Sequence, residues 1–231
     1  MKICVVGNGV GAIARQNGSF IDSCDVVVRI KNFELKGFEE FVGSKTDVFS
    51  SKWFSWFDRN TNEPLCFDFL DSVKTLMFMF PNEENSSKFH VKEYVNLYKN
   101  LQLTNELPAP LCTWSDHKSL LIKFNLIDKH IIYFSDKDIE ELCCDILKID
   151  KIDYVIANRQ QPAIIEPTCG IRTIFKIIKE YPNDEIFLTG FDGFVTSWYW
   201  NPQHKINPSH HYLTERMYLN YLKKTKQVIF L

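Results

Sequence analysis

The sequence predicts an α/β protein built on a mostly parallel, doubly wound sheet of Rossmann-like type. Two observations carry that prediction. Short β-branched runs alternate with segments of helical spacing, the pattern of parallel strands joined by crossover helices. The first run, Ile3-Cys4-Val5-Val6, breaks at Gly7-Asn8-Gly9-Val10-Gly11, so a strand ends on clustered glycines. Glycine has no Cβ, and such a turn lets backbone N–H groups approach a ligand closely. A phosphate or a nucleotide is the ligand class expected there.

Taken in order, the chain gives each element its own reason. Residues 12–21 have the spacing of a short helix weakened by Gly18. Residues 25–30 run continuously β-branched, as a strand buried on both faces does, and 46–50 is a short third strand. Trp53, Phe54, Trp56 and Phe57 cluster as core, as a lid over a site, or as a lipid-facing surface. A strand over 75–80 closes on Pro81-Asn82, a polar loop covers 82–88, and 91–100 has helical spacing. Pro108 and Pro110 mark a turn before a strand at 131–134, after which Ser135-Asp136 is placed to cap a helix over 137–147. Near the carboxyl end come a helix at 171–180, a strand at 184–190 ending on Gly190, and a helix from 209 to 224. An edge strand at 228–231 closes the chain. No repeat or low-complexity linker divides the 231 residues, so 1–231 is expected to be a single domain.

Composition narrows the function classes. The formal net charge of -2 gives no global field for nucleic acid. Lys2 leads straight into a strand, without the profile of a signal peptide, and no apolar run has bilayer-spanning length. Seven cysteines without a C-x-x-C pair fit reduced thiols better than a disulfide frame or a zinc site. The expectation is a soluble, cytoplasmic protein.

Four stretches carry residues suited to chemistry. Gly7-x-Gly9-x-x-Ala12 satisfies the loose dinucleotide fingerprint, but Arg29-Ile30-Lys31 stands where an acidic residue would hold a ribose. An NADP-dependent oxidoreductase tolerates basic residues there, and a tight turn without a ligand is the plain alternative. Asn8 either tolerates left-handed backbone or offers its amide to a nucleotide. Thr168 and Cys169, just before a helix, are N-cap candidates, and the free N–H groups of a helix start attract an anion. His210 and Glu215 straddle the start of the last helix, with His211 between them and His204 nearby. A histidine with a near-neutral pKa is the default general base for a hydroxyl nucleophile, whereas Glu215 also suits the helix dipole.

Together these stretches resemble the sialyltransferases that use CMP-sialic acid, both the animal family and the smaller bacterial ones. The large sialyl motif is matched by Val5-Val6-Gly7-Asn8, Ile21-Asp22, Asp25-Val-Val-Val-Arg29 and Val42-Gly-Ser-Lys-Thr46. The small motif is echoed by Pro167-Thr-Cys-Gly170 and Asp184-Glu-Ile-Phe-Leu-Thr-Gly-Phe191, and the very small motif by His210 and Glu215. Residues 52–165 match none of the motifs and are a candidate acceptor or lid region.

The resemblance implies a GT-A-like variant of the nucleotide-binding fold and an inverting transfer that needs no metal or other cofactor. The donor would be CMP-sialic acid or a related 2-keto sugar acid, with CMP-Kdo as the rival, and the acceptor a glycan hydroxyl. A lipid-linked acceptor would bring peripheral contact with the inner face of a membrane. Gly7, Asn8 and Gly9 would line the CMP site, with Thr168, Cys169 and Gly170 opposite. His210 would deprotonate the acceptor, and Tyr199 would hydrogen-bond the leaving phosphate. Four departures stand out. Lys31 replaces the family's second donor-binding Asn, with Asn32 one residue on. Ser51 stands where some bacterial relatives carry a donor-contacting Asn. Ile3 and Asn183 occupy the aligned positions of the animal disulfide, and the third-motif His is absent near Trp198. Asp136-x-Asp138 resembles the Asp-x-Asp of metal-dependent glycosyltransferases, but a solvated first helical turn is the expected explanation.

Overall fold

The computed structural model describes residues 1–51, 70, 72–79, 121–122, 125–135, 137–138, 141–146, 154–157, 161–164, 167–193, 195–203 and 212–231. The aromatic cluster at 53–57, the predicted helix at 91–100, Asp136, and the three histidines 204, 210 and 211 lie outside the described residues.

Seven of the nine described strands form one sheet. They are β1 (Lys2–Val6), β2 (Val26–Ile30), β3 (Val48–Ser51), β4 (Thr75–Phe78), β5 (His130–Tyr133), β8 (Glu185–Thr189) and β9 (Ile229–Phe230). A separate antiparallel hairpin pairs β6 (Tyr154–Ala157) with β7 (Gln161–Ile164). Order in the large sheet is β5-β4-β3-β2-β1-β8-β9, and every neighbouring pair is parallel. Helices α1 (Gly18–Ser23), α2 (Glu39–Val42), α3 (Cys169–Glu180) and α4 (Tyr212–Lys224) connect the strands.

Strand alternation divides β1 between two cores. Ile3 and Val5 pack with Val28, Ile174, Ile177 and Leu222 beneath α3 and α4, whereas Cys4 and Val6 pack with Ile21, Val27, Val42 and Phe187 beneath α1 and α2. Both faces of the sheet are therefore covered, which is why its strands run continuously apolar.

Three elements differ from the sequence expectation. The helix expected over 12–21 is split into a 3-10 turn (Val10–Ile13) and α1, because Gly18 packs so tightly on α2 that a Cβ would stand 2.0 Å from the Glu39 carbonyl oxygen. Glu141–Ile146 is π-helical rather than α-helical. The hairpin β6–β7 had no forecast.

Candidate active site

The strand order reverses between β1 and β8. The chain leaves β1 for β2 on one side, while β8 and β9 lie on the other. In an open parallel sheet, ligands bind in the crevice at the carboxyl ends of the strands flanking such a reversal. A cleft of about 230 Å³ opens there. It is lined by residues 7–9, 30–31, 168–171 and 190–193, together with Thr196, Trp198, Tyr212 and Leu219. Two loops some 160 residues apart in sequence thus share one wall-to-wall space.

The glycines of the first loop serve the fit between loops. Gly7 N–H donates to Thr189 O at 2.8 Å, and Gly9 N–H to Gly190 O at 2.9 Å. A Cβ on Gly7 would stand 2.6 Å from Gly190 O, and one on Gly9 would fall 2.4 Å from the Asp192 carboxylate. The N–H groups of Gly7 and Gly9 are thus spent on the β8 side. The loop then enters a four-residue 3-10 turn, not the α-helix whose start holds a pyrophosphate in dinucleotide sites.

Asn8 is similarly committed. Its Nδ2 donates to Ile30 O and Asn32 O, both at 3.0 Å, and two carbonyls that can only accept fix which end of the amide faces them. Among the described residues its Oδ1 accepts no hydrogen bond.

The anion-binding helix start belongs to α3. Thr168 is its N-cap, with Oγ1 accepting from Ile171 N–H at 3.3 Å. The same hydroxyl donates to Glu215 Oε2 at 2.9 Å, and Thr168 N–H donates to Oε1 at 2.7 Å. Cys169 and Gly170 follow in the first turn, where N–H groups have no partner within the helix. Glu215 is fully buried. Burial pushes its carboxyl up to about 7, against the pull of the two Thr168 hydrogen bonds and the charges of Arg172 and Lys31. Its place is behind Thr168, joining α4 to the start of α3.

Other predicted residues stand elsewhere. Tyr199 does not line the cleft. Its hydroxyl donates to Glu34 O at 2.6 Å, its ring meets Phe38 edge-on, and burial pushes the phenol up to about 12. It is not placed to hold a phosphate. Ser51 is buried at the end of β3, and Asn32 keeps a buried Oδ1 without a partner among the described residues; neither lines the cleft. His210 is outside the described residues, but it precedes by two positions Tyr212, which does line the cleft.

The remaining motif residues brace the scaffold. Arg29, fully buried, donates through Nε to Lys45 O and Thr46 Oγ1, both at 3.0 Å, and through Nη2 to Val42 O at 2.8 Å. Asp22 accepts from Ser44 N–H and Lys45 N–H, each at 2.8 Å. Asp138 is buried rather than solvated, which corrects the expectation for that residue. It forms a reciprocal capping box with Ser135, while Lys176 at 3.0 Å and Lys179 at 2.9 Å occupy its two oxygens. Burial opposes its ionisation, and hydrogen bonds from Lys179, Ser135 and Lys176 outweigh that, holding the carboxyl down to about 2.

Asp192 and Tyr212 line the cleft without having been singled out from sequence, and Lys31, noted only as a departure from the family pattern, lines it too. One signal for part of this set was present: β8, like β1, ends on a glycine.

Residues 1–227 match the family model described as glycosyltransferase family 29 (sialyltransferase). The fold is similar to a crystal structure of a mammalian sialyltransferase, with a TM-score of 0.57 at 19% identity, covering 100% of this chain and 68% of that one. It is also similar to a mammalian sialyltransferase in complex with Gal-β1-3GalNAc-ortho-nitrophenol, with a TM-score of 0.55 at 18% identity and the same coverage. Among curated proteins nothing matches.

Proposed function

The chain belongs to glycosyltransferase family 29, and from that premise we propose that it moves sialic acid, or a related 2-keto sugar acid, from a CMP donor to a glycan hydroxyl with inversion and without a metal. One observation carries the reading: the cleft at the sheet's reversal brings the Gly7–Gly9 loop and the α3 start into a single lining. The α3 start is the seat for the donor phosphate, since its first-turn N–H groups and positive dipole end favour an anion. Asn8 contributes Oδ1, an acceptor suited to a ribose hydroxyl.

In the reaction, the acceptor oxygen forms its bond to the anomeric carbon as the bond from that carbon to the CMP phosphate oxygen breaks. The electron pair leaves on the phosphate, towards α3, and His210 takes the hydroxyl proton. Glu215 acts through Thr168 by holding the cap in place. Tyr199 is omitted from leaving-group stabilisation because Glu34 O holds its hydroxyl. The nicotinamide reading loses support because the Gly7 and Gly9 N–H groups are bonded to β8 and its following glycine, and no α-helix follows the loop directly.

Thermal shift with CMP, CTP, NAD and NADP, followed by hydrolysis of CMP-Neu5Ac beside CMP-Kdo, tests the proposal. Cytidine nucleotides should stabilise the protein, and His210→Ala should lose ~10²–10⁴-fold in turnover while still binding CMP. Stabilisation by NADP alone would overturn it, and cytidine binding without turnover of either donor would reduce it to a binding module. Preference for CMP-Kdo would keep the chemistry and change the donor. Gal-β1-3GalNAc is the first acceptor to try, since a structurally similar enzyme binds its nitrophenol derivative.

A further inference from the structure

Lys31 is an ordinary residue in an unusual backbone. Its φ is +54°, in the left-handed region that side chains with a Cβ enter at a cost. Such a conformation persists where its surroundings over-determine it, and it collects at functional sites. Here three hydrogen bonds do so. Lys31 N–H donates to Ser50 O at 2.8 Å, and Asn8 Nδ2 clasps the carbonyls on either side, Ile30 O and Asn32 O. The amide of one loop therefore staples the kink of another.

That kink sets Lys31 in the cleft wall, half-buried, with the start of α3. Lys31 is one of the positive charges that favour ionisation of the Glu215 carboxyl behind Thr168. The cleft-lining carboxylate, Asp192, accepts from Thr196 Oγ1. Among the described residues no carboxylate forms an ion pair with Lys31. A half-buried cation left open beside a helix start is matched by an anion.

We propose that Lys31 is a specificity-determining residue that pairs with the phosphate of the cytidine nucleotide, and that Asn8 is the positioning residue that holds it in the cleft. The inference rests on the cytidine-nucleotide reading above. It adds that the phosphate is recognised by a flexible point charge as well as by helix N–H groups, so affinity falls with salt.

Calorimetric titration with CMP and with cytidine, at low and high salt, separates the possibilities. Lys31→Gln should weaken CMP by about tenfold or more, leave cytidine unchanged and flatten the salt dependence. Lys31→Arg should retain most of the affinity. Lys31→Gly should lose CMP affinity in the same way yet raise Tm by about 2–4 °C, because glycine adopts this φ without strain. Asn8→Ala should lower Tm more in the wild-type background than in Lys31→Gly, a coupling that appears only if Asn8 pins the kink. Equal CMP affinity in wild type and Lys31→Gln would overturn the phosphate pairing, as would parallel losses for CMP and cytidine. Additive Tm changes would overturn the role of Asn8. Failure of the wild type to bind CMP would sink both this inference and the functional reading, which distinguishes the two failures.

Discussion

Glu215 and Asp138 are both buried carboxylates docked on α3, one against its first turn and the other against its second half. Their partners differ. Glu215 receives two hydrogen bonds from Thr168, a neutral residue, and burial raises its carboxyl to about 7. Asp138 receives two lysines and the Ser135 cap, and despite its burial it is held down to about 2. Low-dielectric surroundings penalise both charges equally in kind, so cationic neighbours decide the outcome. The carboxylate that is fully compensated belongs to the scaffold. The one beside the cleft is left poised, as groups near functional sites commonly are.

The contrast breaks most severely at Asp138. Asp138→Ala takes from the buried Lys176 ammonium its buried partner, leaving it only the exposed Glu180 carboxylate, and undoes the capping box; it should cost about 3 kcal/mol of stability in urea unfolding, with activity per folded molecule unchanged. Next comes the pH dependence of Glu215. Its folded value lies above its ordinary 4.5, so its contribution is full below that pH and is lost as pH rises through 7. At about 1.4 kcal/mol per unit, stability should decline by about 3 kcal/mol across that window, and Glu215→Gln should flatten the decline. Asp138 has the opposite sign: its contribution is present above 3.8 and is lost as pH falls towards 2, about 2 kcal/mol that Asp138→Asn should remove. The smallest effect belongs to the link itself. Thr168→Val removes the N-cap and one Glu215 partner and should cost about 1 kcal/mol, with weaker CMP binding as the added readout.

Much of this architecture is legible from residue order. Continuous apolar runs announce β1, β2 and β8, because strands buried on both faces need no polar alternation. Thr168 before an apolar-periodic helix announces the α3 cap. Other features depend on partners distant in sequence, which local pattern cannot supply. Gly7 is a glycine because of Gly190, and Gly9 because of Asp192, each more than 180 residues away. Arg29 looked like a substitute ribose reader and proved to be a buried brace for residues 42–46. Asp138 looked solvated until Lys176 and Lys179 of α3 reached it. Lys31 attracted notice as a departure from a family pattern, whereas its backbone strain and its staple by Asn8 appear only in three dimensions.

The central claim is that a cytidine nucleotide occupies the cleft with its phosphate at the start of α3. Titrating CMP into the ¹⁵N-labelled protein and following backbone amide resonances tests it directly. The account predicts saturable shifts largest at Cys169 and Gly170, clear ones at Lys31, and smaller ones at Gly7 and Gly9, whose N–H groups stay bonded to Thr189 O and Gly190 O. Saturable shifts confined to residues away from the carboxyl ends of β1 and β8, with Cys169 and Gly170 unmoved, would contradict it.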